Sequence, residues 1–180
     1  MTQPGRGGRR LSHILVMGVS GSGKTSVSQG LVSRLDGVFV EADDYHPQSN
    51  IDLMASGQPL TDEHRWPWLK AVADAAADAS STSSKTVVIA CSALKRAYRD
   101  RLRALIGPIA IVHLDGAEEL IARRLVSRQG HFMSASLLPS QFATLEPLGP
   151  DEPGIVIPVS EPVDRIVDRV VAWVAEDAAA

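Results

Sequence analysis

The chain has 180 residues, 44% of them hydrophobic and 4% aromatic, with a formal net charge of −3. That suffices for one α/β core built mainly from Val, Ile, Leu and Ala, and is too little for two independent domains. The charge balance argues against a nucleic-acid partner. The single Cys91 excludes an intrachain disulfide and fits a reducing compartment. No apolar run approaches the roughly 20 residues that a membrane span needs. The opening residues lack the apolar core of a secretory signal, so the expected address is the cytoplasm.

Residues 1 to 11 carry Arg6, Arg9 and Arg10 among glycines with no acid nearby. They read as a disordered arm, with a basic nucleic-acid tail as the weaker alternative. Residues 12–180 read as a single domain. His13–Gly18 is an apolar strand, followed by a helix over Lys24–Leu35 and a second strand over Val38–Ala42. Helical pieces are expected over Asn50–Ser56 and Asp62–Ala79, with Pro67 restarting the second, because proline suits a first helical turn and not an interior. Thr86–Cys91, Ile109–Leu114 and Gly154–Val159 complete five short strands. Between and after them fall helices over Leu94–Leu105, Ala117–Arg128 and Pro162–Val174, the last with Ser160 as its cap, and Gln129–Ser136 is a polar connector. Strands alternating with helices imply a parallel sheet covered on both faces, with ligands beyond the carboxyl ends of the strands.

Gly18-Val-Ser-Gly-Ser-Gly-Lys24-Thr25 matches the P-loop pattern G-x-x-x-x-G-K-[ST]. Its glycines let backbone N–H groups curl toward phosphate oxygens, and the following helix adds its positive end. Gly18, Ser20, Gly21, Ser22, Gly23, Lys24, Thr25 and Ser26 are therefore the nucleotide-binding candidates. Lys24 reaches the β- and γ-phosphates of ATP, and Thr25 can ligate Mg²⁺. The third strand ends in Ala90-Cys91-Ser92 without an acid, so another group must help place the metal.

Asp43 follows the second strand, where a carboxylate faces the phosphates. It could take the proton of an acceptor hydroxyl or hold Mg²⁺ through water. Asp44 reads better as a solvated turn. Lys95 and Arg99 share one face at the start of a helix, where cations oppose the macrodipole. They either answer to an anion such as a substrate carboxylate or are ordinary surface cations. Arg124 and Arg128 share a face and lead into the polar connector, where a lid would carry arginines onto the transferring phosphate. Trp66, Trp68 and Trp173 read as packing residues.

Beyond the P-loop, three further strings resemble the gluconokinase family. The first is Asp43-x-x-His46-Pro47-x-x-Asn50-Ile51-x-x-Met54, continuing through Gly57, Pro59-Leu60, Asp62 and Arg65 to Pro67-Trp68-Leu69. The second is Cys91-Ser92-Ala93-Leu94-Lys95-x-x-Tyr98-Arg99-Asp100, and the third is Arg124-x-x-x-Arg128-x-Gly130-His131-Phe132 followed by Gln141 and Leu145-Glu146. The likeness covers about residues 13–175. It implies a P-loop fold like the nucleoside-monophosphate and shikimate kinases, five parallel strands with helices on both faces and a small lid at about residues 124–146.

The resemblance also implies a homodimer that uses ATP and Mg²⁺ to phosphorylate the 6-hydroxyl of D-gluconate, feeding the pentose phosphate or Entner–Doudoroff route. In that scheme Lys24, Asp43, Arg124 and Arg128 are catalytic. His46, Lys95, Arg99 and His131 bind the acceptor, and Asn50, Met54 and Arg65 shape or line its site. The stretch Pro147-Leu148-Gly149-Pro150 departs from the expected acidic continuation, and no adenine contact is assigned. The competing readings are a kinase for another small hydroxy acid such as shikimate, a switch or scaffold that binds ATP without turnover, and a substrate-blind NTPase.

Overall fold

The computed structural model describes residues 12–126 and 135–177. The expectations for the N-terminal arm, for Arg128 and for His131 lie outside the described residues. Five strands form one wholly parallel sheet: β1 (His13–Met17), β2 (Val38–Glu41), β3 (Val87–Ala90), β4 (Ala110–Asp115) and β5 (Gly154–Pro158), in the order β2-β3-β1-β4-β5. Around it lie α1 (Lys24–Leu35), α2 (Gln48–Ala55), α3 (Asp62–Thr82), α4 (Arg96–Ile106), α5 (Glu118–Val126), α6 (Leu138–Thr144) and α7 (Val163–Asp177).

The central strands are buried on both faces, and their period of two divides the core. Ile14, Val16, Val88 and Val112 belong to one apolar layer with Val27 and Leu31 of α1, Ile121 of α5 and Val167 of α7. Leu15, Met17, Ile89 and Ile111 point the other way, into a layer with Leu69 and Val72 of α3 and Leu102 of α4. From β1 the chain moves to one edge of the sheet, and from β3 it crosses past β1 to β4. The carboxyl ends of β1 and its neighbours thus form a switch point, where open α/β sheets hold ligands.

Four local expectations need correction. Pro67 lies inside a continuous α3 rather than at a restart. The helix begins at Asp62, as expected, where Thr61 and His64 form a capping box with the Thr61 N–H donating to His64 Nδ1 at 3.2 Å, and it runs through Pro67 unbroken. Proline then costs α3 one ladder bond. Second, α4 starts at Arg96, because Ala93 has φ 41 and Lys95 is extended. Third, Ser160 lies three residues before Val163 and so does not stand at the cap of α7. Fourth, the sequence reading placed no helix at Leu138–Thr144, where α6 stands behind a 3₁₀ turn over Ala135–Leu137.

Candidate active site

The loop from β1 to α1 has the conformation its glycines permit. Gly21 has φ 81, and a Cβ there would stand 2.7 Å from Leu125 Cγ. A side chain at Gly21 is thus excluded by backbone conformation and by space. Lys24 Nζ donates to the Val19 carbonyl at 3.0 Å, which folds the side chain back along the loop. The Ser22 hydroxyl is buried and has no hydrogen-bond partner among the described residues. A buried hydroxyl in a glycine-rich cradle suits a phosphate ligand.

Two cavities flank the cradle. The first joins Ser20, Lys24 and Thr25 to Glu41, Asp43 and His46. Met54, Arg65, Trp68 and Gln141 also line it. The second lies on the other side, where Ser22, Ser26 and Val27 meet Arg124 and the loop after β5 at Val159 and Glu161. Gly21 and Gly23 border both cavities, so the phosphate-binding loop is the wall between them.

Glu41 is the residue that sequence reasoning missed. It is the last residue of β2, and Thr25 Oγ1 donates to its Oε2 at 2.8 Å. Burial raises its carboxyl above the usual range, opposed by the Thr25 hydrogen bond and by Lys24. The sequence shows only an acid at the end of an apolar strand, and the fold brings that acid to the Thr25 hydroxyl. The Thr25 hydroxyl and the Glu41 and Asp43 carboxylates are hard oxygen donors around one cavity, the donor type that Mg²⁺ takes alongside substrate phosphates. Among the described residues no group of three or more His, Cys, Asp and Glu side chains forms a metal cage.

The acceptor side is built by the segment after β2. A short 3₁₀ turn, Ala42–Tyr45, sets Asp43 at the cavity wall, with Asp43 Oδ1 4.0 Å from His46 Nε2. His46 stacks on Trp68 at 4.2 Å between ring centroids, and Trp68 Nε1 donates to the Ala42 carbonyl at 2.7 Å. Burial pulls His46 down to about 4, against the attraction of Asp43 and with the help of Arg65. His46 therefore faces the cavity as a neutral imidazole near pH 7. Asn50 is buried, donating to the His64 carbonyl at 3.0 Å, and shapes the loop from behind. Arg65 Nη1 donates to the Leu60 carbonyl at 3.0 Å and to the Tyr98 hydroxyl at 3.2 Å while lining the cavity.

Two expected acceptor ligands are placed elsewhere. Arg99 is fully buried and paired with Glu152, through Nε at 2.6 Å and Nη2 at 2.8 Å. Its Nη1 also donates to the carbonyls of Ala93, Leu94 and Glu146. A guanidinium neutralised and saturated in this way is a structural clamp. It holds the left-handed Ala93 turn, which costs an alanine on the order of 1–3 kcal/mol. Lys95 Nζ donates to both carboxylate oxygens of Asp62, at 2.8 and 3.0 Å, so its charge is spent on α3 and it does not line the cavity. Sequence spacing put Lys95 and Arg99 on one helix face, but Lys95 precedes the helix, and it was the burial of Arg99 that spacing could not reveal.

A parallel sheet with a P-loop at its carboxyl edge, a cavity lined by Glu41 and Asp43 on one side of the loop and a second cavity on the other defines a P-loop nucleotide-binding protein. Comparison with known proteins narrows the class. An AAA domain family model matches residues 14–148. The chain is 46% identical to a gluconokinase of Gluconobacter oxydans, covering 91% of this chain and 92% of that protein. The crystal structure of a gluconokinase from Sinorhizobium meliloti superposes with a TM-score of 0.83 at 43% identity, over 94% of this chain and 95% of that one. The Mycobacterium tuberculosis APS kinase CysC shares the fold at 15% identity, with a TM-score of 0.64 over 92% of this chain and 98% of that one. The chain belongs to the gluconokinase family and is a kinase.

Proposed function

We propose that this protein transfers the γ-phosphate of ATP to the 6-hydroxyl of D-gluconate, giving 6-phospho-D-gluconate and ADP. The observation that carries the reading is the shared wall: the phosphate cradle opens directly onto a cavity lined by Asp43, His46 and Arg65. A polyol with one carboxylate needs hydroxyl partners and a cation, and these side chains supply both.

In this reading ATP lies across the wall, its nucleoside in the cavity beside Arg124 and its terminal phosphate toward Asp43. Lys24 leaves the Val19 carbonyl for the β- and γ-phosphates, a short swing of one flexible side chain. Mg²⁺, held by the Thr25 hydroxyl and through water by Glu41 and Asp43, would neutralise charge on those phosphates. Asp43 accepts a hydrogen bond from the attacking hydroxyl and aims its lone pair at the γ-phosphorus. Such positioning supplies much of the catalysis in phosphoryl transfer. His46, neutral and held against Trp68, orients a gluconate hydroxyl, and Arg65 attracts the carboxylate. Arg124, with Arg128 beyond it in sequence, closes over the nucleotide. The working enzyme is read as a cytoplasmic homodimer.

The test follows ADP release with MgATP alone, then with D-gluconate, then with shikimate. Stimulation by gluconate alone supports the proposal. Release indifferent to acceptor, or stimulated by shikimate only, overturns it.

A further inference from the structure

The carboxamide of Gln141 stands at the reacting end of the phosphate cradle. Gln141 belongs to α6, is buried, and accepts a hydrogen bond from the Ser20 backbone N–H at 2.7 Å. This is a 121-residue sequence separation closed onto one amide of the P-loop. The two cavities give that amide a direction. Of these two cavities, Ser20 lines the one that holds Asp43 and not the other, whereas Ser22 and Ser26 line the one on the Arg124 side and not the first. The phosphate chain crosses the loop between the two, so the Ser20 N–H addresses the terminal phosphate. The Gln141 oxygen therefore sits where a γ-phosphate oxygen would accept the same hydrogen bond.

We propose that Gln141 is a positioning residue for the transferring phosphoryl group, its oxygen holding the Ser20 N–H when the site lacks nucleotide and its NH₂ donating to the γ-phosphate when ATP is bound. A phosphate oxygen accepts hydrogen bonds and cannot donate one. On entering the cradle it takes the Ser20 N–H and meets a carboxamide oxygen as a second acceptor. Rotation of the amide by half a turn replaces that repulsion with a donated bond, without moving α6. The inference rests on the cradle being the ATP site, and the experiment separates the two claims.

Binding of Mg²⁺ complexes of ADP and of the β,γ-imido analogue of ATP is measured by titration calorimetry for wild type, Gln141→Glu and Gln141→Ala, with thermal unfolding to confirm folding. Wild type that binds neither nucleotide contradicts the ATP site itself. Given wild-type binding, Gln141→Glu keeps an acceptor for Ser20 but sets a carboxylate against the γ-phosphate. It is expected to weaken the ATP analogue about tenfold or more relative to ADP. Gln141→Ala is expected to lower kcat by about 10²-fold, the scale of one lost donor to transition-state charge, with the gluconate KM little changed. An unchanged analogue-to-ADP ratio in the Glu variant, or an unchanged kcat in the Ala variant, overturns the proposal. Should the Glu variant fail to fold, the kcat of the Ala variant decides alone.

Discussion

The segment after β2 and the start of α4 are both rich in basic and polar residues, yet they spend them differently. Arg65 and His46 line the cavity, while Arg99 is fully buried against Glu152 and Lys95 is held by Asp62. Neighbouring contacts explain the contrast. The strained turn at Ala93 leaves carbonyls facing inward, and Arg99 donates to those of Ala93 and Leu94, the second shared with the Glu146 N–H. One region lines the cavity and the other holds the frame. Substitutions in the first should change rates, and substitutions in the second should change stability.

The largest expected effect is on turnover. Lys24→Ala should abolish gluconate phosphorylation, by about 10³-fold or more, while the unfolding temperature stays near wild type. A steady-state assay beside a thermal melt checks both halves. Asp43→Asn should come next, lowering kcat by about 10²- to 10³-fold with ATP affinity within a few-fold of wild type. On the frame side, Arg99→Met should cost roughly 3–5 kcal/mol in a denaturant titration, because it strands the buried Glu152 carboxylate. The double change Arg99→Met with Glu152→Leu should recover part of that loss. A ligand role for Arg99 would instead show as a raised gluconate KM in a chain of normal stability.

The smallest effect is on pH dependence. His46 is lowered to about 4, and burial lowers His13 and His113 in the same direction. Each binds fewer protons folded than unfolded, so its stabilisation is complete above the ordinary histidine value of 6.5. It is lost as pH falls toward the folded value. Glu41, raised by burial, acts in the opposite sense near its own ordinary value of 4.5. Unfolding temperature should therefore fall between pH 7 and pH 5, and His46→Gln should flatten part of that slope. A profile flat over this range would contradict the buried neutral imidazoles.

The sequence made the fold legible because its signals are local. Apolar strands of four to six residues, a P-loop and amphipathic helices each announce themselves within one window, and the helix over Lys24–Leu35 has the bounds expected of it. The nucleotide cradle was legible for the same reason. Glu41 was visible only in hindsight, since an acid ending a strand gains meaning from the Thr25 hydroxyl beside it in space. The fate of Arg99 was not legible at all. Its partner Glu152 is 53 residues away in a stretch without any motif, and spacing along one helix says nothing about burial. Gln141 is hidden the same way, because its contact with Ser20 joins elements distant in the chain.

In the proposed reaction the cradle and the Asp43 cavity together move phosphate from ATP to gluconate. Phosphorus NMR of a reaction with MgATP and D-gluconate tests it most directly. A phosphomonoester signal assigned to the 6-position should grow, matched by ADP and absent with Lys24→Ala. ADP accompanied only by inorganic phosphate would contradict it.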